Sequence, residues 1–171
     1  MKVESTGFTM SDVDGFLDEQ REHERLNLAE RLERASARLA EVGARVTADH
    51  TEAAGWSGHE ILAHIAVLSK FYGVVVHRIA TGQMTELDLL EQVNLRDVAG
   101  EQMAKLEPAE LLRMAVADHE RTIKTLRSTG SAALQRAARL PDGRSITAEE
   151  VARLPLINHL EAHIDQLASS V

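Results

Sequence analysis

A chain of 171 residues, 44% hydrophobic and 27% charged, is long enough for one domain with a real core. A net charge of −8, with no basic run or stripe, argues against a nucleic-acid surface, and 3% aromatic content leaves few rings to stack on bases. Cysteine is absent, which excludes disulfides, thiolate metal sites and a Cys nucleophile; any thiol chemistry needs a thiol brought by a substrate or cofactor. A cysteine-free chain also fits a reducing cytoplasm.

The opening MKVESTGFTM has no apolar stretch of signal-peptide length and reads as a loose leader over residues 1–10, with 11–171 as a single domain. No apolar run approaches the roughly 20 residues that a membrane helix needs. Ala, Leu, Glu and Arg dominate and strand signals are nearly absent, so the expectation is all-α.

The first helix is expected to start with Ser11 as its N-cap and Asp12 and Asp14 at the positive end of the dipole. It runs through Phe16, Leu26, Leu28, Leu32, Leu39 and Val42, with Gly43 near its end. A small and polar connection follows, carrying the only tryptophan, Trp56, whose simplest role is a core anchor. Ser57 and Glu60 stand in capping-box spacing and open a second helix that runs to about Thr81 and stops at Gly82. Residues 83–107 form a long crossover, with a helical turn or two expected around Glu86–Val93. Its length lets the third helix run parallel to the second. The third helix begins at Glu107 and Pro108 and continues to about Gly130. PDG, residues 141–143, is a turn. Thr147 and Glu150 form another capping-box pair and open the fourth helix, in which Pro155 predicts a kink. The alternative is a helix that starts afresh at Pro155. The whole reads as a four-helix bundle.

The fourth helix contains LINHLEAHIDQL, residues 156–167. His159 and His163 are four apart, so they stack on one helix face beside Leu156, Leu160 and Leu167. An i, i+4 histidine pair is a spacing used by helical metal sites. His64 lies on the core side of the second helix, between Ile61 and Leu68, and is the candidate third ligand. His59 is five residues before it, about 140° away, so HEILAH is not a metalloprotease HExxH pattern. Glu60 fits the cap best, with a supporting contact to His64 as the alternative. His23, His50, His77 and His119 sit among polar or mixed neighbours and read as solvent-facing or boundary residues. Inward histidines can also be plain core residues bonded to a carbonyl or hydroxyl, and spacing alone leaves both readings open.

In order and spacing, WSGHEILAHIAVL (56–68), Asn94 in EQVNLRDV, the segment after PDGRSIT, and NHLEAHIDQL (158–167) resemble the DinB-like superfamily of metalloenzymes over essentially the whole chain. The resemblance implies an up-down-down-up four-helix bundle. It also implies a divalent metal, commonly zinc or nickel, held by His64, His159 and His163, and a homodimer. Some members transfer low-molecular-weight bacterial thiols. The sequence stops at Val171, so the added C-terminal domain of the maleylpyruvate isomerase branch, and with it that reaction, is not expected. The leading expectation is a cytoplasmic, metal-dependent enzyme that activates an external thiol for transfer to a small-molecule electrophile. Metal-dependent hydrolysis and a non-catalytic metal-binding bundle are the alternatives. Glu161 and Asp165 point away from His159 and are expected to be solvated. No catalytic base is assigned.

Overall fold

The computed structural model describes residues 7, 9–48, 56–88 and 101–171. Helix α1 (Met10–Gly43) begins earlier than expected. Its N-cap is Thr9, whose hydroxyl accepts the Asp12 N–H (3.2 Å), while the Asp12 carboxylate accepts the Thr9 N–H (2.8 Å). Ser11 therefore lies inside the first turn, because the reciprocal pair satisfies two open donors where a lone Ser11 would satisfy one.

Helix α2 (Gly58–Ala80) opens on the Ser57–Glu60 capping box and ends before Gly82, which takes φ of 74°. It is long and apolar enough to cross a membrane, but most of its apolar side chains are buried inside the bundle. Helix α3 (Pro108–Ser128) starts with proline at its first turn.

A short helix α4 (Ser131–Leu134) leads into two strands, β1 (Ala137–Arg139) and β2 (Ser145–Thr147), paired antiparallel with Ala138 opposite Ile146. The hairpin is a minor addition to a chain that is helical as expected. The strands are three residues each, too short for an alternating pattern to show. The PDG turn closes them, with Gly143 at φ 87°. Glu86 bridges to Arg139, so residues 86–88 are extended where a helical turn was expected. Positions 89–93, Asn94 and His50 lie outside the described residues.

Helix α5 (Ala148–Val151) opens on the Thr147–Glu150 capping box. It continues without a break through a π-helical segment, Ala152–Asn158, into α6 (His159–Ser170). Pro155 sits inside the π segment, which corrects the alternative of a new helix starting there. Proline lacks an amide donor and crowds the preceding turn; the wider π turn takes up that misfit.

The contacts fix the directions of the four long helices. Gly43 meets Leu112, and Arg25 reaches the Leu126 and Arg127 carbonyls, so α1 and α3 are antiparallel. Gly73 meets Thr122, and His59 bonds the Leu106 carbonyl, so α2 and α3 run parallel. Gly58 meets Ser170 and Val171, so α6 runs against α2. The bundle is up-down-down-up. Leu28, Leu32, Leu39, Ile61, Ile65, Ile79, Leu111, Leu126, Ile157 and Leu167 fill its core, each about fully buried.

Candidate metal centre

His64 is presented by the N-terminal half of α2, and His159 and His163 by the start of α6. The antiparallel packing of these two helices brings them together. One ring nitrogen from each of the three lies within 4.8 Å of the others, and all three rings are partly buried. His159 Nε2 and His163 Nε2 are 2.8 Å apart. The His64 ring centroid stands 4.6 Å from His163 and 5.7 Å from His159, edge-on to both. Nitrogens on one zinc-sized ion stand roughly 3–4 Å apart, so small ring rotations bring this set to a common point. The donor set fits a divalent transition metal. All three donors are imidazoles, and among the described residues no carboxylate groups with them.

The surroundings bear on which nitrogen carries a proton. His163 Nδ1 lies 3.0 Å from Gln166 Oε1. An amide oxygen only accepts, so Nδ1 holds the proton and Nε2 keeps its lone pair for a cation. Trp56 is 52% exposed, which corrects its expected place in the core. Its indole lies edge-on to His64 (4.9 Å) and parallel to His163 (6.4 Å). It forms an aromatic rim beside the imidazoles, open to solvent on its far side.

Arg31 stands in no motif that local spacing would mark. Its guanidinium reaches from α1 to Glu161 (2.6 and 3.2 Å) and Asn158 (2.9 Å), the residues between and just before the two histidines. Arg38 pairs with Asp165 one turn further on, at 2.5 Å. Glu161 and Asp165 are partly to well exposed, as expected. Their arginine partners dock α6 on α1, and no short pattern marks a contact across about 130 positions.

His119 corrects another expectation. It is fully buried, with Nε2 2.7 Å from Ser69 Oγ and Nδ1 3.1 Å from Ser36 Oγ. Ser69 Oγ donates to the Ile65 carbonyl (2.7 Å), so it accepts from His119 Nε2–H, and Ser36 donates to Nδ1. Burial pushes the His119 pKa down to about 4, so the ring is a neutral bridge between α1, α2 and α3. Ala115, Thr122 and Leu126, at i−4, i+3 and i+7, are all buried; that helical spacing was the available signal, and the adjacent Asp118 and Glu120 obscured it. His59 is also buried, its Nε2 2.8 Å from the Leu106 carbonyl and away from the triad's grouping.

No protein-family model matches the sequence, and no curated protein matches it. Solved structures do match. Mycothiol-dependent maleylpyruvate isomerase superimposes at a TM-score of 0.62 with 19% identity, over 87% of this chain and 60% of the isomerase. A variant of that isomerase matches equally well, at 18% identity. YfiT from Bacillus subtilis, described as a probable metal-dependent hydrolase with an unusual four-helix bundle topology, matches at 0.50 with 16% identity over 98% of this chain and 92% of YfiT. The chain spans about three-fifths of the isomerase's length. At these identities the likeness shows the fold: the chain shares a four-helix bundle architecture with these structures.

Proposed function

We propose that the protein is a metal-dependent enzyme that activates a low-molecular-weight thiol for transfer to a small electrophile, with His64, His159 and His163 as the ligands. The convergence of three imidazoles from two helices, within 4.8 Å, carries this reading. Zinc or nickel suits an all-imidazole set. When bound by three neutral imidazoles, such an ion retains an open position and lowers the pKa of a thiol or water placed there.

The chain's own residues supply the rest. Gln166 fixes the His163 tautomer, Arg31 holds the helical turn that spaces the two α6 ligands, and Trp56 offers an apolar face to a bound substrate. In the transfer, the thiol proton leaves to solvent. The sulfur pair forms the new bond to the electrophilic carbon, and the leaving group departs with the electrons of the bond it broke. The protein has no thiol of its own, so the nucleophile comes from the reduced cytoplasmic thiol pool. The likeness to a mycothiol-dependent isomerase supports a thiol co-substrate.

The likeness to YfiT favours a second reading, in which water is the nucleophile. A thiol-by-electrophile screen with zinc- or nickel-loaded protein separates the two. Product that appears only with thiol, and is lost in His64→Ala, supports transfer. Ester or amide turnover that ignores thiol supports hydrolysis.

A further inference from the structure

Cations and carboxylates are unevenly matched along the groove between α2 and α3. The chain carries a net charge of −8, and most of its arginines are held in ion pairs. Yet no carboxylate among the described residues pairs with Lys70, His77, Arg78 or Lys124, and all four line this groove. A fifth cation, Arg121, is held there by the buried Asp118. Helix dipoles account for part of the excess. α2 and α3 run parallel, so their negative ends lie together, and His77 and Arg78 stand in the last turn of α2. Lys70 lies in the middle of α2, and Lys124 comes ahead of the last turn of α3, where that effect has faded.

The groove has a volume of about 480 Å³, within the roughly 300–1,000 Å³ of small-molecule sites. Lys70, Val74 and Arg78 follow one another at intervals of four and form a row about 12 Å long on α2. Arg121, Lys124 and Thr125 line the groove from α3. Gly73 lets the helices approach closely, since a Cβ there would stand 2.4 Å from Thr122 Oγ1. Two such rows repel each other, and an anion between them relieves that repulsion. The Asp118 carboxylate pre-orients the Arg121 guanidinium, whose planar fork suits phosphate oxygens. Val74, 47% exposed, lies among the cations, and no Trp, Tyr or Phe lines the groove, so a flat base has nothing to stack on.

We propose that this groove binds a small polyanion carrying two or more phosphate groups, at a site separate from the metal centre. Lys70 stands about 120° around α2 from His64 and about 9 Å further along, so the two sites use different faces of one helix. Lys70 and Arg78 hold one edge of the ligand, and Arg121 and Lys124 hold the other, with the Thr125 hydroxyl as a further donor. The acidic remainder of the chain favours a compact ligand. A nucleic acid or an anionic membrane would bring its charge over surfaces rich in carboxylates. A short polyphosphate stays within the groove, and at 0.1 M salt charges more than about 10 Å away are largely screened from it.

Isothermal titration calorimetry of the full, dialysed chain with sodium tripolyphosphate in 150 mM sodium chloride tests this. One site per chain is expected, with at least a tenfold loss of affinity in Lys70→Glu with Lys124→Glu, both exposed positions. Arg45→Glu with Arg113→Glu makes the same change in net charge away from the groove and is expected to keep the affinity within twofold. His64→Ala is expected to bind as wild type does, which separates the groove from an anion held at the metal centre. Circular dichroism checks that each variant is folded. No binding at 1 mM tripolyphosphate, an equal loss in the two charge-reversed pairs, or a loss in His64→Ala overturns the proposal. Sulfate that binds as tightly at equal ionic strength would mean an adventitious ion only. Tighter binding to phosphatidic acid vesicles or to a single-stranded oligonucleotide would mean an extended partner. Either result overturns the proposal equally.

Discussion

Arg31 and Glu161, 130 positions apart, form a two-point ion pair at 2.6 and 3.2 Å that ties α1 to the helical turn between His159 and His163. The same guanidinium holds Asn158, the last residue of the π segment. The pair is partly exposed, so its contribution to stability is small, about 1 kcal/mol at most. Its larger effect is positional. Arg31→Ala is expected to leave the fold intact and weaken zinc or nickel binding about threefold to tenfold, read by titration calorimetry. Unchanged affinity would mean that α6 is held by packing alone.

Gln166 acts on the same ligand more directly. Its amide oxygen accepts from His163 Nδ1, so Gln166→Ala frees the imidazole to adopt either tautomer. Gln166 is exposed, which places the loss at the lower end of what such supporting contacts contribute, roughly tenfold in metal affinity. Circular dichroism and melting temperature should be unchanged.

His119 makes stability depend on pH. Its folded pKa, about 4, lies below the ordinary histidine value of 6.5. Above 6.5 both folded and unfolded chains are neutral at this residue. As pH falls from 6.5 toward 4 only the unfolded chain takes up the proton, so stability is lost across that window, by roughly 3 kcal/mol. Urea titrations at pH 7.5, 6, 5 and 4.5 should show that slope in wild type and a shallower one in His119→Gln. The variant is also expected to be less stable at neutral pH, because Ser69 and Ser36 lose their shared partner. Parallel pH profiles for the two proteins would contradict the assignment.

Gly73 sets the spacing of α2 and α3. A Cβ there would stand 2.4 Å from Thr122 Oγ1, so one side chain must move. Gly73→Ala is expected to destabilise by about 1–3 kcal/mol even though alanine favours helix over glycine. Adding Thr122→Ala should recover most of that loss, since it removes the clashing hydroxyl. Chemical denaturation of both variants measures the coupling directly.

Much of this was legible in the sequence. Ser57–Glu60 and Thr147–Glu150 marked two helix starts because a capping box is a local, three-residue code. Gly82 marked a stop for the same reason. The i, i+4 spacing made His159 and His163 neighbours before any coordinates, and His64 was placed by its stripe. What was not legible depends on packing at a distance. Trp56 reads as core by composition, but it ends up as a rim beside His64. The β1–β2 hairpin has too few residues to show a period. Pro155 signals a defect in the helix, yet nothing local says that a π turn resolves it. His119 is masked by its polar sequence neighbours Asp118 and Glu120, while the residues on its own helix face, Ala115, Thr122 and Leu126, are buried. The residues that complete the site, Arg31 above all, come from another helix and leave no spacing to read.

The shared-cation site is tested by the metal content of purified, metal-loaded protein, measured by elemental analysis for wild type, His64→Ala and His163→Ala. One divalent ion per wild-type chain is expected, with near-complete loss in both variants, each still folded by circular dichroism. Retention of the ion in His64→Ala would contradict the shared site, because the two helices would then not share one cation.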